Sequence, residues 1–129
     1  MQHPFKINHL DHVAILVEDM ERTIEWYQST LGLTAISPDE WNGVPTMLFV
    51  NMTGVAVFPK ASPGASDRSI KFVDHFAFNV DKDAMDAAME FFNDSGIAYT
   101  WKDHKYYHSI YFKDPDGHTV ELTTQVIDI

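Results

Sequence analysis

Apolar and polar side chains alternate through LDHVAILV, residues 10–17: Val13, Ile15 and Val17 share one parity, and His12, Ala14 and Leu16 the other. A period of two is that of a strand with one packed face. The period then lengthens. In VEDMERTIEWYQSTLG (17–32) the apolar positions are Met20, Ile24, Tyr27 and Leu31, with acids at 18, 19 and 21 and glycine at 32. This spacing predicts an amphipathic helix with an acid-favoured start and a glycine stop. Both patterns recur downstream. VDHFAFNV (73–80) sets Phe76, Phe78 and Val80 against His75, Ala77 and Asn79, and Met85, Ala88, Met89 and Phe92 then mark a second helix ending at Gly96.

The recurrence has a fixed offset, 75 − 12 = 63. The same shift lays MLFVNMTGVAVF (47–58) over IYFKDPDGHTVE (110–121), so that Gly54 meets Gly117 and Phe49 meets Phe112. Turn signals at NMTG and DPDG separate short strands. Each copy therefore reads as strand, helix and three strands, an α+β chain of two tandem βαβββ units at about 7–58 and 70–124. The Pro-, Gly- and Ser-rich PKASPGASDRS (59–69) is the connector,. At 129 residues the whole chain, 1–129, is expected to be a single domain,.

Parity separates the two faces of the strands. The apolar faces suit helix packing, whereas the opposite faces carry His12, His75 and, near the C-terminus, Glu121 beside Thr119 and Thr123. Counted the same way, the first unit adds Thr46, Leu48, Ala56 and Phe58 to this inner surface, and the second adds Asn79, Tyr107, Ser109 and Tyr111. Two imidazoles and a carboxylate buried without partners would cost several kcal/mol, on the order of 2–7 for even a neutral polar group. A hydrogen-bonded core histidine answers this for one residue at a time. One divalent cation answers it for all three, and the repeated placement of histidine favours that reading. Two histidines and one carboxylate with open positions suit Fe(II) best, with Mn, Zn, Ni or Co as alternatives. An apolar wall facing a polar one suits a small substrate with a hydrophobic body and adjacent oxygens.

Charge and composition narrow the partners. Net charge is −10, a sign that repels phosphate backbones and argues against nucleic acid,. No apolar run approaches the roughly 20 residues that cross a bilayer, and the N-terminus lacks a secretory pattern, so no membrane partner is expected. The absence of cysteine fits a reducing cytoplasm,. His104 and His108, in WKDHKYYHS, read first as a solvated loop, and Tyr107 and Tyr111 either orient substrate or pack their rings and bond a carbonyl. Trp41, in PDEWNGVP, is a lid or a cover for the core.

The paired Asp-His strands together with IYFKDPDGHTVE resemble the vicinal oxygen chelate superfamily, which includes glyoxalase I, extradiol dioxygenases, fosfomycin-resistance enzymes, methylmalonyl-CoA epimerase and metal-free bleomycin-binding proteins. The resemblance runs from Ile7 to about Thr124. It implies an open, roughly eight-stranded mixed barrel, with His12, His75 and Glu121 as metal ligands, and commonly a homodimer. The fourth ligand of glyoxalase I and of the epimerase type would fall at 121 − 63 = 58, where Phe58 cannot coordinate. Fosfomycin enzymes typically carry a threonine two residues after the first histidine and an arginine after the glutamate. Here Ala14 stands at the first place and no arginine follows Glu121, which disfavours that subclass. The extradiol signature of an aliphatic residue, Tyr, two residues, Asp-Pro, Gly and glutamate is matched. It implies that Tyr111 contacts bound substrate and that His104 is a hydrogen-bond donor to oxygen. Lys102 departs from the start of that signature, and no histidine lies between His12 and His75. The expectation is a metal-dependent enzyme acting on an oxygen-chelating small molecule, dioxygenase-like or lyase/transferase-like. The alternative is a metal-free binding or sequestration protein of the bleomycin-resistance type.

Overall fold

The computed structural model describes residues 4, 8–60, 73 and 75–128. Most of the connector, both expected unit starts and Asp74 lie outside the described residues. The chain divides into two compact units, Met1–Ala65 and Ser66–Ile129, and each follows the order strand, helix, three strands.

In the first unit β1 (His12–Val17) leads into α1 (Met20–Leu31), then β2 (Thr34–Ile36), β3 (Thr46–Val50) and β4 (Thr53–Pro59). The sheet order is β1-β4-β3-β2, with β1 parallel to β4 and the other pairs antiparallel. The helix starts where the acids predict: Asp19 is its N-cap, accepting the Arg22 backbone N–H at 3.0 Å, which satisfies one of the otherwise unpaired donors of the first turn. It stops at Gly32, whose φ of 70° is open to glycine at little cost,. Tyr27 is buried as the periodicity predicts, and so is Thr23, a polar residue that an apolar count passes over. With Ile15, Val17, Leu48, Val55 and Val57 they form the core of this unit. A short 3-10 turn, Asp39–Trp41, links β2 to β3, and Trp41 is 43% exposed there.

The second unit repeats the plan with β5 (His75–Asn79), α2 (Lys82–Ser95), β6 (Thr100–Asp103), β7 (Tyr107–Lys113) and β8 (Thr119–Gln125), in sheet order β5-β8-β7-β6. Met85 and Phe92 are the buried residues of α2, and the Phe92 ring meets Phe112 edge-on with centroids 4.8 Å apart. No described helix is long and apolar enough to cross a membrane.

The register corrects two expectations. Val50 pairs with Thr53, leaving a two-residue turn, so paired positions on β3 and β4 have opposite parity. Thr46 and Leu48 pair with Val57 and Val55, which in turn pair with Ile15 and Val13. Leu48 therefore lies on the core face, fully buried, and is not part of the inner surface. Met47 and Phe49 replace Thr46 and Leu48 there, opposite Ala56 and Gly54.

The offset between units also drifts. His12 pairs with Gly54 and His75 with Thr119, so β4 and β8 correspond at 119 − 54 = 65 rather than 63. The drift accumulates in steps: the helix-ending glycines already stand 96 − 32 = 64 apart, and the turn between Lys113 and Thr119 is longer than the two-residue turn between Val50 and Thr53. The first-unit counterpart of Glu121 is consequently Ala56, not Phe58. The inference drawn from Phe58 survives, because a methyl group cannot ligate a metal either.

Candidate metal and substrate site

In the second unit the DPDG turn positions the carboxylate strand. Asp114 is buried, and its Oδ1 accepts the backbone N–H groups of Asp116 at 2.9 Å and His118 at 2.8 Å. Gly117, at φ 84°, returns its N–H to the Asp114 carbonyl at 3.0 Å. From this turn β8 runs between β5 and β7, and Glu121 lies opposite Ala77 on one side and Tyr111 on the other. Paired residues share a face, so the short side chain of Ala77 leaves the space around Glu121 to longer neighbours.

Those neighbours converge. His75 Nε2 stands 3.1 Å from Glu121 Oε1, with Glu121 only 7% exposed. The His75 ring meets Tyr111 edge-on at a centroid distance of 5.6 Å. Tyr111 Oη lies 2.9 Å from His104 Nε2. His104 reaches it from the β6–β7 connection, a tight reversal in which its backbone N–H bonds the Tyr107 carbonyl at 2.8 Å. Lys105 there has φ 73°, and its N–H is held by Asp103 Oδ1 at 2.8 Å. The loop reading of His104 thus stands, and the structure adds a contact with Tyr111 that the sequence did not predict.

His108 differs from expectation. It belongs to β7, not a loop, and faces away from this cluster, 3.6 Å from Asp103 Oδ1 and stacked edge-on to Trp101 at 5.1 Å.

The rest of the face is polar. Asn79, Ser109 and Thr123 share it by register, and the Ser109 hydroxyl donates to Thr123 Oγ1 at 2.9 Å. Tyr107, half-buried, pairs with Gln125 further along the same face. Lys113, of the same parity as Ser109 and Tyr111, bonds Thr119 on this face. Lys102 was missed as an inner-face residue: it pairs with Ser109 and places its ammonium 5.5 Å from the Tyr111 ring centre.

The corresponding face of the first unit carries His12, Ala14 and Leu16, opposite Gly54, Ala56 and Phe58. It is apolar apart from His12, whose Nδ1 lies 2.8 Å from Asp11 Oδ2. Among the described residues of either unit, no three histidine, aspartate or glutamate side chains form a complete metal-holding group.

The comparisons agree with this architecture. The family model described as "Glyoxalase/Bleomycin resistance protein/Dioxygenase superfamily" matches residues 9–122. Glutathione transferase FosA from Serratia marcescens is 25% identical over 114 residues, covering 88% of this chain and 78% of that one. Among solved structures, a glyoxalase/dioxygenase from Nostoc punctiforme superposes with a TM-score of 0.76 at 23% identity, over 98% and 97% of the two chains. The fosfomycin resistance protein FosX from Listeria monocytogenes does so with a TM-score of 0.69 at 19% identity, over 95% and 97%. The tandem units, their register and the extent of the family match lead to one conclusion: the chain belongs to the glyoxalase/bleomycin resistance protein/dioxygenase superfamily.

Proposed function

We propose that the chain is a metal-dependent enzyme in which His12, His75 and Glu121 hold one divalent ion and the substrate is a small molecule binding that ion through adjacent oxygens. The observation that carries this reading is the meeting of the buried Glu121 carboxylate with His75 Nε2 at 3.1 Å, on the same strand face as Tyr111. A carboxylate below the surface is costly unless a cation or fixed donors face it, and a carboxylate beside an imidazole nitrogen is the donor chemistry of Fe(II), Mn(II) and Zn(II) sites. His12 holds the corresponding place in the first unit, as the first residue of the strand parallel to β4. The third donor then comes from the other unit, of the same chain or of a second copy in a homodimer. A cysteine-free chain fits a reducing cytoplasm,.

When bound, the ion would polarise a substrate oxygen or, as iron, activate O2. The chain's own side chains do the rest. Tyr111 sets its ring beside His75 and its hydroxyl on His104, which is exposed on its hairpin and exchanges that proton with solvent,. Phe58, with Leu16, Met47 and Phe49, supplies apolar contact for the substrate body. Asn79, Tyr107, Ser109 and Thr123 supply polar contact.

Similarity to FosA brings transferase chemistry forward beside the dioxygenase reading that IYFKDPDGHTVE supports. Ala14 and the lack of an arginine after Glu121 argue against fosfomycin as the substrate. Metal analysis of the purified protein beside His75→Ala is the first test: near-stoichiometric metal in the wild type, lost in the variant, is expected. A protein that ignores added Fe(II), Mn(II) and Zn(II) overturns the reading and leaves a metal-free binder. Aerobic assay against a catechol panel, beside glutathione with methylglyoxal or fosfomycin, then separates the reaction classes.

A further inference from the structure

The Asp11–His12 pair adds a contact that the ligand chemistry just described does not use. Its carboxylate can only accept a hydrogen bond when ionised, so Nδ1 of His12, 2.8 Å away, must be the protonated nitrogen,. The Asp11 side chain is exposed, but its backbone is fixed. Its carbonyl accepts the Gly54 N–H at 2.9 Å, and the preceding Leu10 carbonyl accepts the Thr53 hydroxyl at 3.0 Å. Both bonds anchor the entry to β1 on the start of β4, directly beside the His12–Gly54 register pair. The sequence repeats the order as Asp74-His75.

We infer that Asp11 is a positioning residue that holds His12 in its Nδ1–H tautomer and so reserves Nε2 as the donor nitrogen. The inference rests on the metal-holding role proposed above. An imidazole coordinates through the nitrogen that carries no proton, and the hydrogen bond made by the other nitrogen decides which one that is. A neutral histidine side chain in water favours the Nε2–H form, which would block that nitrogen. A carboxylate on Nδ1 reverses the preference, turns the ring and raises the basicity of the remaining nitrogen. In the second unit, too, Nε2 is the nitrogen of His75 that faces Glu121.

The test has two independent arms on the full-length protein. Long-range 1H–15N correlation spectra of the metal-free protein, at mildly alkaline pH and with His12→Gln used for assignment, report the tautomer directly. Wild type is expected to show His12 as Nδ1–H. Asp11→Ala should shift it to Nε2–H, and Asp11→Asn, whose amide oxygen still accepts, should restore Nδ1–H. In the second arm, competition with a chromophoric chelator measures Zn(II) affinity. The loss expected for Asp11→Ala is about 10–100-fold, with partial recovery in Asp11→Asn and an unchanged thermal midpoint in both. An Nε2–H signal in the wild type, a tautomer indifferent to Asp11→Ala, or Zn(II) affinity equal to wild type overturns the inference. Absence of Zn(II), Fe(II) and Mn(II) binding by the wild type overturns the underlying function as well, and is distinguishable because the tautomer is read without metal.

Discussion

Replacing Gly54 with alanine adds one methyl group at the register position opposite His12, and the surroundings give its cost. The new Cβ would lie 2.8 Å from the Leu48 carbonyl oxygen and 2.8 Å from Phe49 Cδ1. The ring can swing aside; the carbonyl cannot without disturbing the β3–β4 ladder. Inserting a methyl into such a contact costs about 1–3 kcal/mol. Gly54 is not among the positive-φ residues, so alanine also gains about 0.4–1 kcal/mol by restricting the unfolded chain. The steric term is the larger, leaving a net loss of about 1–2 kcal/mol. For a chain of this size that is a fall of about 4–8 °C in thermal midpoint. Urea or thermal unfolding followed by circular dichroism measures it, and adding Phe49→Leu should recover only the part due to the ring. A Gly54→Ala midpoint equal to or above wild type would refute the reasoning, since it would mean that the Leu48 carbonyl gives way freely.

Three further outcomes are expected. Phe92→Ala, which removes a ring packed edge-on against Phe112 and fully enclosed under α2, should lose about 3–5 kcal/mol in denaturant titration,. Asp114→Ala strips two backbone N–H groups of their acceptor in a half-buried turn and should cost about 1–3 kcal/mol, whereas Asp114→Asn, which keeps an oxygen there, should cost less,. Tyr111→Phe should retain wild-type metal content and unfold within about 1 kcal/mol of wild type, yet lose turnover on whatever substrate the assays identify, because only the hydroxyl bonded to His104 is gone,.

The alternating runs at 10–17 and 73–80 and the acid-to-glycine spans of both helices carried enough local signal to predict the tandem βαβββ plan, and the faces of β1, β5, β7 and β8 follow from it. Parity failed in β3 for a mechanical reason. Parity runs unbroken through NMTG only without a turn; the two-residue turn there inverts the parity of paired positions, which puts Leu48 in the core and Met47 and Phe49 on the other face. Reading Asn51-Met52 as the whole turn would have predicted this. The same turn shortens the first hairpin relative to the second, and the helix-ending Gly32 and Gly96 already stand 64 apart, so a constant offset of 63 misassigned Phe58 as the counterpart of Glu121. The contact of His104 with Tyr111 could not come from periodicity. It depends on a hairpin reversal with Lys105 at positive φ, which lysine rarely signals,.

The position of the histidine-bearing strands has a further consequence. In sheet orders β1-β4-β3-β2 and β5-β8-β7-β6, each of them is terminal and hydrogen-bonded to one neighbour of its own unit. Along its other edge, HVAILV or HFAFN has no sheet neighbour within its own unit, and neither segment contains proline, lysine or any acidic gatekeeper. Half-length fragments severed at the linker would therefore carry a sticky border suited to recruiting foreign strands, so expressing either half alone invites oligomers and inclusion bodies.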